Sequence, residues 1–302
     1  MAHNTLLPWN GRDIDALLRL QPVSASTFRS RHASPNARNT VFGGQLLGQA
    51  LMAAAITAPP GRDVTAMQFM FLQSATPDQP VDYEVAPLQD GKRFASRHVR
   101  GTQAGHATGK RRIVLDAQVS FAVPMPGPEH AAPSPAGNID PQTLPRLEDL
   151  PAETADAVWR TIGYPFDTIG LDLRVADPER GLGLASSAPA LRFWLRTRDA
   201  LPDDPMLQAA AFAYLSDWWL NFTSVGVHVH ELLRDATQLH VASLNHAIWF
   251  HRPLRADRWL HFDVHSPSAA QGRGLSIAAV HDAHGVLVAS ATQQNLMVPA
   301  GG

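Results

Sequence analysis

The sequence predicts an α+β fold in which two bent antiparallel sheets are each wrapped around a long central helix. Three observations lead there. The 302 residues hold the same order of elements twice, each copy opens on a helix that is apolar on nearly every side, and a proline-rich stretch separates the copies. The length suits two domains of ordinary size, each able to bury a core.

The elements follow in order. Residues 1–19 include Asp13 and Asp15 where a secretory signal needs an unbroken apolar stretch, so no secretion is expected. Phe42-Gly43-Gly44-Gln45 opens the first helix, whose Leu46, Leu47, Ala50, Leu51, Ala54 and Ala55 surround it until Pro59-Pro60. A helix apolar all round has to be enclosed by other structure. Four segments of strand length follow, 64–72, 81–88, 93–103 and 113–123, rich in Val and Phe alternating with polar residues. Asp90-Gly91 marks a hairpin between the second and third. Prolines at 124, 126, 128, 133, 135, 141, 145 and 151 then read as a linker. The second copy has a buried helix over 207–222 and strands over 242–250, 259–266, 274–282 and 285–298. Residues 250–264 superpose on 71–85 without a gap, and Phe262-Asp263-Val264 matches Tyr83-Glu84-Val85. The expected organisation is an N-terminal unit over 1–123, a proline-rich linker and connecting segment over 124–205, and a C-terminal unit over 206–302. A helix enclosed by a strongly bent sheet, twice in one chain, is the double form of the hotdog fold.

Composition narrows the chemistry. Without cysteine there are no thiol nucleophiles, disulfides, iron–sulfur clusters or Cys-containing zinc sites, so hydrolysis must use oxygen, carboxylate or imidazole groups. A balance of 25 Lys and Arg against 27 Asp and Glu gives no case for nucleic acid as a partner. The short basic run Lys110-Arg111-Arg112 reads as a solvated surface turn. No window reaches the roughly 20 apolar residues of a membrane span, so a cytoplasmic protein with no membrane partner is expected. Fourteen histidines raise the question of a metal. The pairs His228 and His230, His246 and His251, and His281 and His284 form no clear ligand set, and no His-Glu-x-x-His occurs. No Gly-x-Ser-x-Gly elbow and no phosphate-cradling glycine motif is present, so neither metal nor cofactor is expected.

Four stretches resemble the type II acyl-CoA thioesterases (TesB-like): Val41-Phe42-Gly43-Gly44-Gln45-Leu46-Leu47-Gly48-Gln49-Ala50-Leu51, Tyr214-Leu215-Ser216-Asp217, the block from Ala242 through Trp249-Phe250-His251-Arg252-Pro253, and Val288-Ala289-Ser290-Ala291-Thr292-Gln293. The resemblance spans roughly 29–123 and 206–298. It implies hydrolysis of an acyl-CoA thioester to free acid and coenzyme A, within fatty acid metabolism. It also implies that Asp217 is the base and that Ser243 and Gln293 help it orient the attacking water. The residues themselves fit this chemistry. A thiol leaving group with a pKa of ~8.5 departs as thiolate without a dedicated acid, so one carboxylate with two neutral hydrogen-bonding groups suffices. Asp217 sits in an apolar run between Leu215 and Trp218-Trp219-Leu220, where a buried carboxylate is costly unless bonded or functional. Alone, a strand Ser or Gln is more often structural. The aligned first-half positions, Gln49, Val64 and Ser120, hold no carboxylate, so one active site per chain is expected, with the first half shaping the acyl pocket.

Candidates for binding substrate are Gly43 and Gly44, whose backbone N–H groups open a helix and suit an oxyanion, Trp218, His246 near Ser243, and Arg252, Arg255 and Arg273 for the coenzyme phosphates. Several positions depart from the family pattern: Gln73-Ser74-Ala75 for Arg-Pro-Gly, Gln68 for His, Asn245 for Asp, and Gln294-Asn295 for Glu-Gly. With the bulk of Trp218 and Trp219, they suggest a preference for short, medium or ring-containing acyl groups. Two alternatives remain at this level. One is a non-hydrolytic acyl-CoA binding protein; the other is a hotdog enoyl-CoA hydratase or dehydratase, whose Asp-x-Asn-x-x-His pattern is absent from both helices. Edge strands of hotdog sheets commonly pair between subunits, so a homodimer or homotetramer is expected.

Overall fold

A computed structural model describes residues 6–36, 38–105, 111–137, 139–146, 149–154, 156, 169–184 and 188–300. The strands are β1 (Leu20–Pro22), β2 (Thr27–Ser30), β3 (Asp63–Phe71), β4 (Asp82–Asp90), β5 (Phe94–Ala104), β6 (Arg111–Ala122), β7 (Leu171–Val175), β8 (Ala190–Thr197), β9 (Leu239–Phe250), β10 (Leu260–Ala270), β11 (Arg273–His281) and β12 (Leu287–Pro299). The helices are α1 (Ile14–Leu18), α2 (Gly43–Thr57), α3 (Pro178–Gly181), α4 (Pro205–Ser216), α5 (Leu220–Gly226) and α6 (Val229–Arg234). The strands form one sheet in the order β1-β2-β4-β5-β6-β3-β9-β12-β11-β10-β8-β7, a double hotdog. Its seam is the antiparallel pair β3 and β9, with Ala66 opposite Trp249 and Phe69 opposite His246.

Both central helices are enclosed as their sequences require. Ten residues of α4, Leu207 to Ser216, are buried, as are Gly44 to Ala54 of α2. The two helices lie antiparallel and close. A Cβ added to Gly48 would stand 2.8 Å from the Ala210 carbonyl, so only glycine permits this approach.

Three expectations need correction. The helix over 207–222 is broken: α4 ends at Ser216, Asp217 is its C-cap, and Trp219 takes a left-handed φ of 66° before α5 begins. Such a backbone is unusual for a bulky residue and is the kind of local strain found at functional sites. Segment 124–205 does more than connect, because β7 and β8 lie within it and β8 pairs with β10. Between 124 and 137 it lies as a strap on the C-terminal half. Glu129 pairs with Arg252 at 2.9 Å, the Ala132 carbonyl lies 3.3 Å from His281 Nε2, and Ser134 Oγ lies 3.4 Å from His261 Nδ1. Finally, Arg111 and Arg112 open β6 instead of forming a turn, and Arg111 bridges Asp82 and Glu84; Lys110 lies outside the described residues.

Candidate active site

Where α4 stops, its last turn meets the start of α2 and the edge of β9. Asp217 is only 6% exposed there. Gln293, fully buried on β12, donates from Nε2 to Asp217 Oδ1 at 2.6 Å and to Ser243 Oγ at 2.8 Å. Ser243, on β9, donates in turn to Asp217 Oδ1 at 3.3 Å. The backbone N–H of Gly44, in the first turn of α2, is a further donor to the carboxylate. The three residues expected to act together are therefore in one hydrogen-bonded group.

Its electrostatics follow from two opposed effects. Burial disfavours the charged carboxylate, while the donors Gln293, Ser243 and Gly44 favour it. Burial wins, and Asp217 is raised from 3.8 to about 7. A carboxyl at that value takes or gives a proton near neutrality, which suits a general base.

The close approach of α2 depends on Gly43. A Cβ there would lie 2.6 Å from Asp217 Oδ2 and 2.9 Å from the Phe71 ring. Gly43 lines a cavity of about 630 Å³ that reaches Asp217 and Ser243. Its wall is strongly aromatic: Trp9, Phe42, Phe71, Tyr214, Trp218 and Trp219 all contribute. Trp218 packs on Phe42 with ring centroids 5.1 Å apart.

Other candidates stand elsewhere. The N–H of Gly44 is directed at Asp217, so it serves the carboxylate and not an oxyanion. His246 does not line the cavity; it is buried against Ser216 Oγ at 2.9 Å. Ser216 Oγ already donates to the Ala213 carbonyl at 2.9 Å, so the imidazole must donate from Nε2. Burial lowers His246 to about 3, and it stays neutral at ordinary pH. Arg252 pairs with Glu129, Arg255 with Asp257 and Asp203, and Arg273 bonds Gln271; none lines the cavity. Among the described residues the arginine that lines it is Arg38, which sequence reasoning missed; it sits in an irregular loop just before the glycine pair, where no periodicity marks it.

The first half offers no second carboxylate at the aligned positions. Gln49 is buried, accepts from Tyr83 Oη at 2.8 Å and donates to the Leu17 carbonyl at 2.6 Å. Val64 and Ser120 lie on β3 and β6, opposite Phe121 and Ala66. The departures from the family pattern partly answer one another. Asn245 donates to Gln294 at 3.2 Å, Asn295 accepts from Ser224 of α5 at 2.9 Å, and Gln73, Ser74 and Ala75 line the cavity. Among the described residues no group of three or more metal-ligating side chains is found.

Fold and site together define a double hotdog protein with a carboxylate, an amide and a hydroxyl joined at the meeting of its two central helices. The model of the acyl-CoA thioesterase N-terminal domain matches residues 31–122 and that of the C-terminal domain residues 141–297. The chain belongs to the acyl-CoA thioesterase family. It is similar to the crystal structure of an acyl-CoA thioesterase II, TesB2, from Mycobacterium marinum, with a TM-score of 0.76 and 30% identity over 96% of this chain and 99% of that one. It is 28% identical to acyl-coenzyme A thioesterase 8 of Mus musculus over 295 residues, covering 94% of this chain and 88% of the mouse protein. Acyl-CoA thioesterase 2 of Haemophilus influenzae is also 28% identical, over 291 residues, 93% of this chain and 95% of that protein.

Proposed function

We propose that this chain hydrolyses acyl-CoA thioesters to the free acid and coenzyme A by direct attack of a water oriented by Asp217, Ser243 and Gln293. The observation that carries the reading is the hydrogen-bonded group of those three residues, its carboxyl raised to about 7, at an aromatic cavity. Asp217 takes a proton as the water oxygen attacks the thioester carbon. The tetrahedral intermediate then collapses, the carbon–sulfur bond breaks, and sulfur leaves as thiolate, which a thiol pKa of ~8.5 allows. The proton held by Asp217 passes to thiolate or solvent. No covalent enzyme intermediate is needed.

Thiol release from a panel of acyl-CoAs, wild type against Asp217→Ala and Asp217→Asn, tests this. Loss of a general base should lower turnover about 10²–10⁴-fold. An Asp217→Asn protein retaining more than about a tenth of wild-type turnover would refute the assignment of the base, and binding without any thiol release would favour a non-hydrolytic acyl-CoA binding protein. A cytoplasmic, self-associating enzyme is part of the same proposal. Among the described residues no helix is long and apolar enough to cross a membrane. Fractionation and light scattering check the compartment and the assembly.

A further inference from the structure

Strand β9 holds the end of α4 at two successive residues. Ser216, the last residue of the helix, meets His246 Nε2 through its Oγ at 2.9 Å, and Asp217, the next residue, accepts from Ser243 at 3.3 Å. Ser243 and His246 are three apart, a spacing that would send them to opposite faces of a regular strand. A register shift removes the conflict. Asn245 pairs with Gln294 and Ser243 with Asn295, so Leu244 has no residue opposite and the strand is re-aimed there.

Across the sheet, His246 stands directly opposite Gln293 of β12 on one side and Phe69 of β3 on the other. It thus adjoins Gln293 on the next strand, Ser243 on its own strand and Asp217 through Ser216, while lying outside the cavity wall and only 1% exposed. The Ser216 hydroxyl gives its hydrogen to the Ala213 carbonyl, so its oxygen receives the imidazole N–H. A neutral ring supplies that bond without placing a charge behind the carboxyl, and burial keeps it neutral. The helix alone does not set the position of Asp217, because α4 stops at Ser216 and the backbone turns left-handed at Trp219.

We propose that His246 is a positioning residue for the reaction: through Ser216 it fixes the end of α4 against β9 and so sets the reach of the Asp217 carboxyl to Ser243 and Gln293. This rests on the acyl-CoA reading above. The consequence is readable in the titration of Asp217, since its two side-chain donors favour the charged form and losing their alignment raises the carboxyl further. Other titratable groups near it are few. Helices α2 and α5 and strand β12 carry none, α4 adds Tyr214, β9 adds His240 beside His246, β3 has only Asp63 at its far, exposed end, and Arg38 lines the same cavity. The shift of Asp217 arises from burial opposed by hydrogen bonds, with no charge among its causes.

The test is thiol release from hexanoyl-CoA between pH 5 and pH 9 by wild type, His246→Leu, His246→Gln, His246→Asn, Ser216→Ala and the His246→Leu/Ser216→Ala double variant, each with a urea midpoint. His246→Leu should lower kcat about tenfold and leave KM within about twofold, the pattern of a group that acts on the transition state without binding substrate. The limb of kcat/KM should move up by about one pH unit, the scale of one hydrogen bond. His246→Gln should recover most of the loss, because its amide nitrogen reaches where Nε2 stood; His246→Asn is too short and should not. Ser216→Ala should reproduce the defect, and the double variant should be no worse than His246→Leu, since one bond is lost only once. Unchanged kcat in His246→Leu overturns the proposal, as does a loss of kcat with the limb unmoved, the mark of a merely structural role, or losses that multiply in the double variant. Should His246→Leu not fold, the contrast of His246→Gln with His246→Asn and the effect of Ser216→Ala decide the matter in the same way. Failure of the hydrolase reading shows separately, as no thiol release by wild type. The infrared band of the protonated carboxyl, assigned by its loss in Asp217→Asn, then reports the same upward shift or its absence.

Discussion

Asp217 is a carboxyl whose surroundings nearly balance its two protonation states, and this has consequences at two pH ranges. As a base it must be ionised, so kcat/KM should rise with pH along a limb centred near 7, the value burial imposes; a limb below pH 5 would contradict the assignment. The same shift affects stability. Unfolded, Asp217 ionises around 3.8; folded, it keeps its proton to about 7, so its contribution to stability falls as pH rises through that window. Asp217→Asn should therefore be more stable than wild type at pH 8, by at most about 4 kcal/mol. The gain should shrink toward pH 4. Urea unfolding at the two pH values measures this, and an equal effect at both would show that charge is not the cause. Trp218 narrows the wall against Phe42. Trp218→Leu should move the peak of kcat/KM across an acyl-length series toward longer chains; an unmoved peak removes the tryptophan from specificity. At this scale the carboxylate, amide and hydroxyl were legible in the sequence, because a lone acid in an apolar run is costly and the surrounding motifs are specific. The partner of each arginine was not legible. Arg38 and Arg252 look alike along the chain, and only the folded loops decide which faces the cavity and which meets Glu129.

Among the elements, the junction of α2 with the end of α4 governs the site. Gly43→Ala would push a methyl against Asp217 Oδ2 and Phe71. Activity should drop at least tenfold while circular dichroism and the unfolding midpoint change little, since the phenyl ring and carboxylate can shift; unaltered activity would mean the junction has slack. The enclosed α2 and the strands β3 to β6 and β9 to β12 were readable, because an all-apolar helix and alternating strands leave periodic signatures. The break at Asp217 to Trp219 was not, since the apolar pattern runs on without interruption and neither Gly nor Pro marks it. β7 escaped notice for a different reason. It is five residues long, and its polar members, Asp172 and Arg174, are buried and paired with each other at 2.7 Å. Their alternation gives no sign of a strand held inside the molecule.

For the molecule as a whole, the seam of β3 and β9 makes within one chain the strand pairing that two separate hotdog units would make between chains. Any self-association therefore has to use another surface. Met70 and Trp249, 47% and 40% exposed on the two seam strands, are large apolar side chains left at the surface there. Trp249→Glu should shift the species seen by light scattering toward the single chain; a wild type that is already a single chain, or a variant indistinguishable from it, rejects this surface.

The strap of residues 124–137 takes up surface on the C-terminal half. It is fastened at His261 of β10 and His281 of β11, which are register partners, so that end of the pair is covered by the chain's own segment. A second copy cannot dock there without peeling the strap away. The two similar halves are thus dressed differently, since the C-terminal half carries this extra segment over one end of its β10–β11 pair.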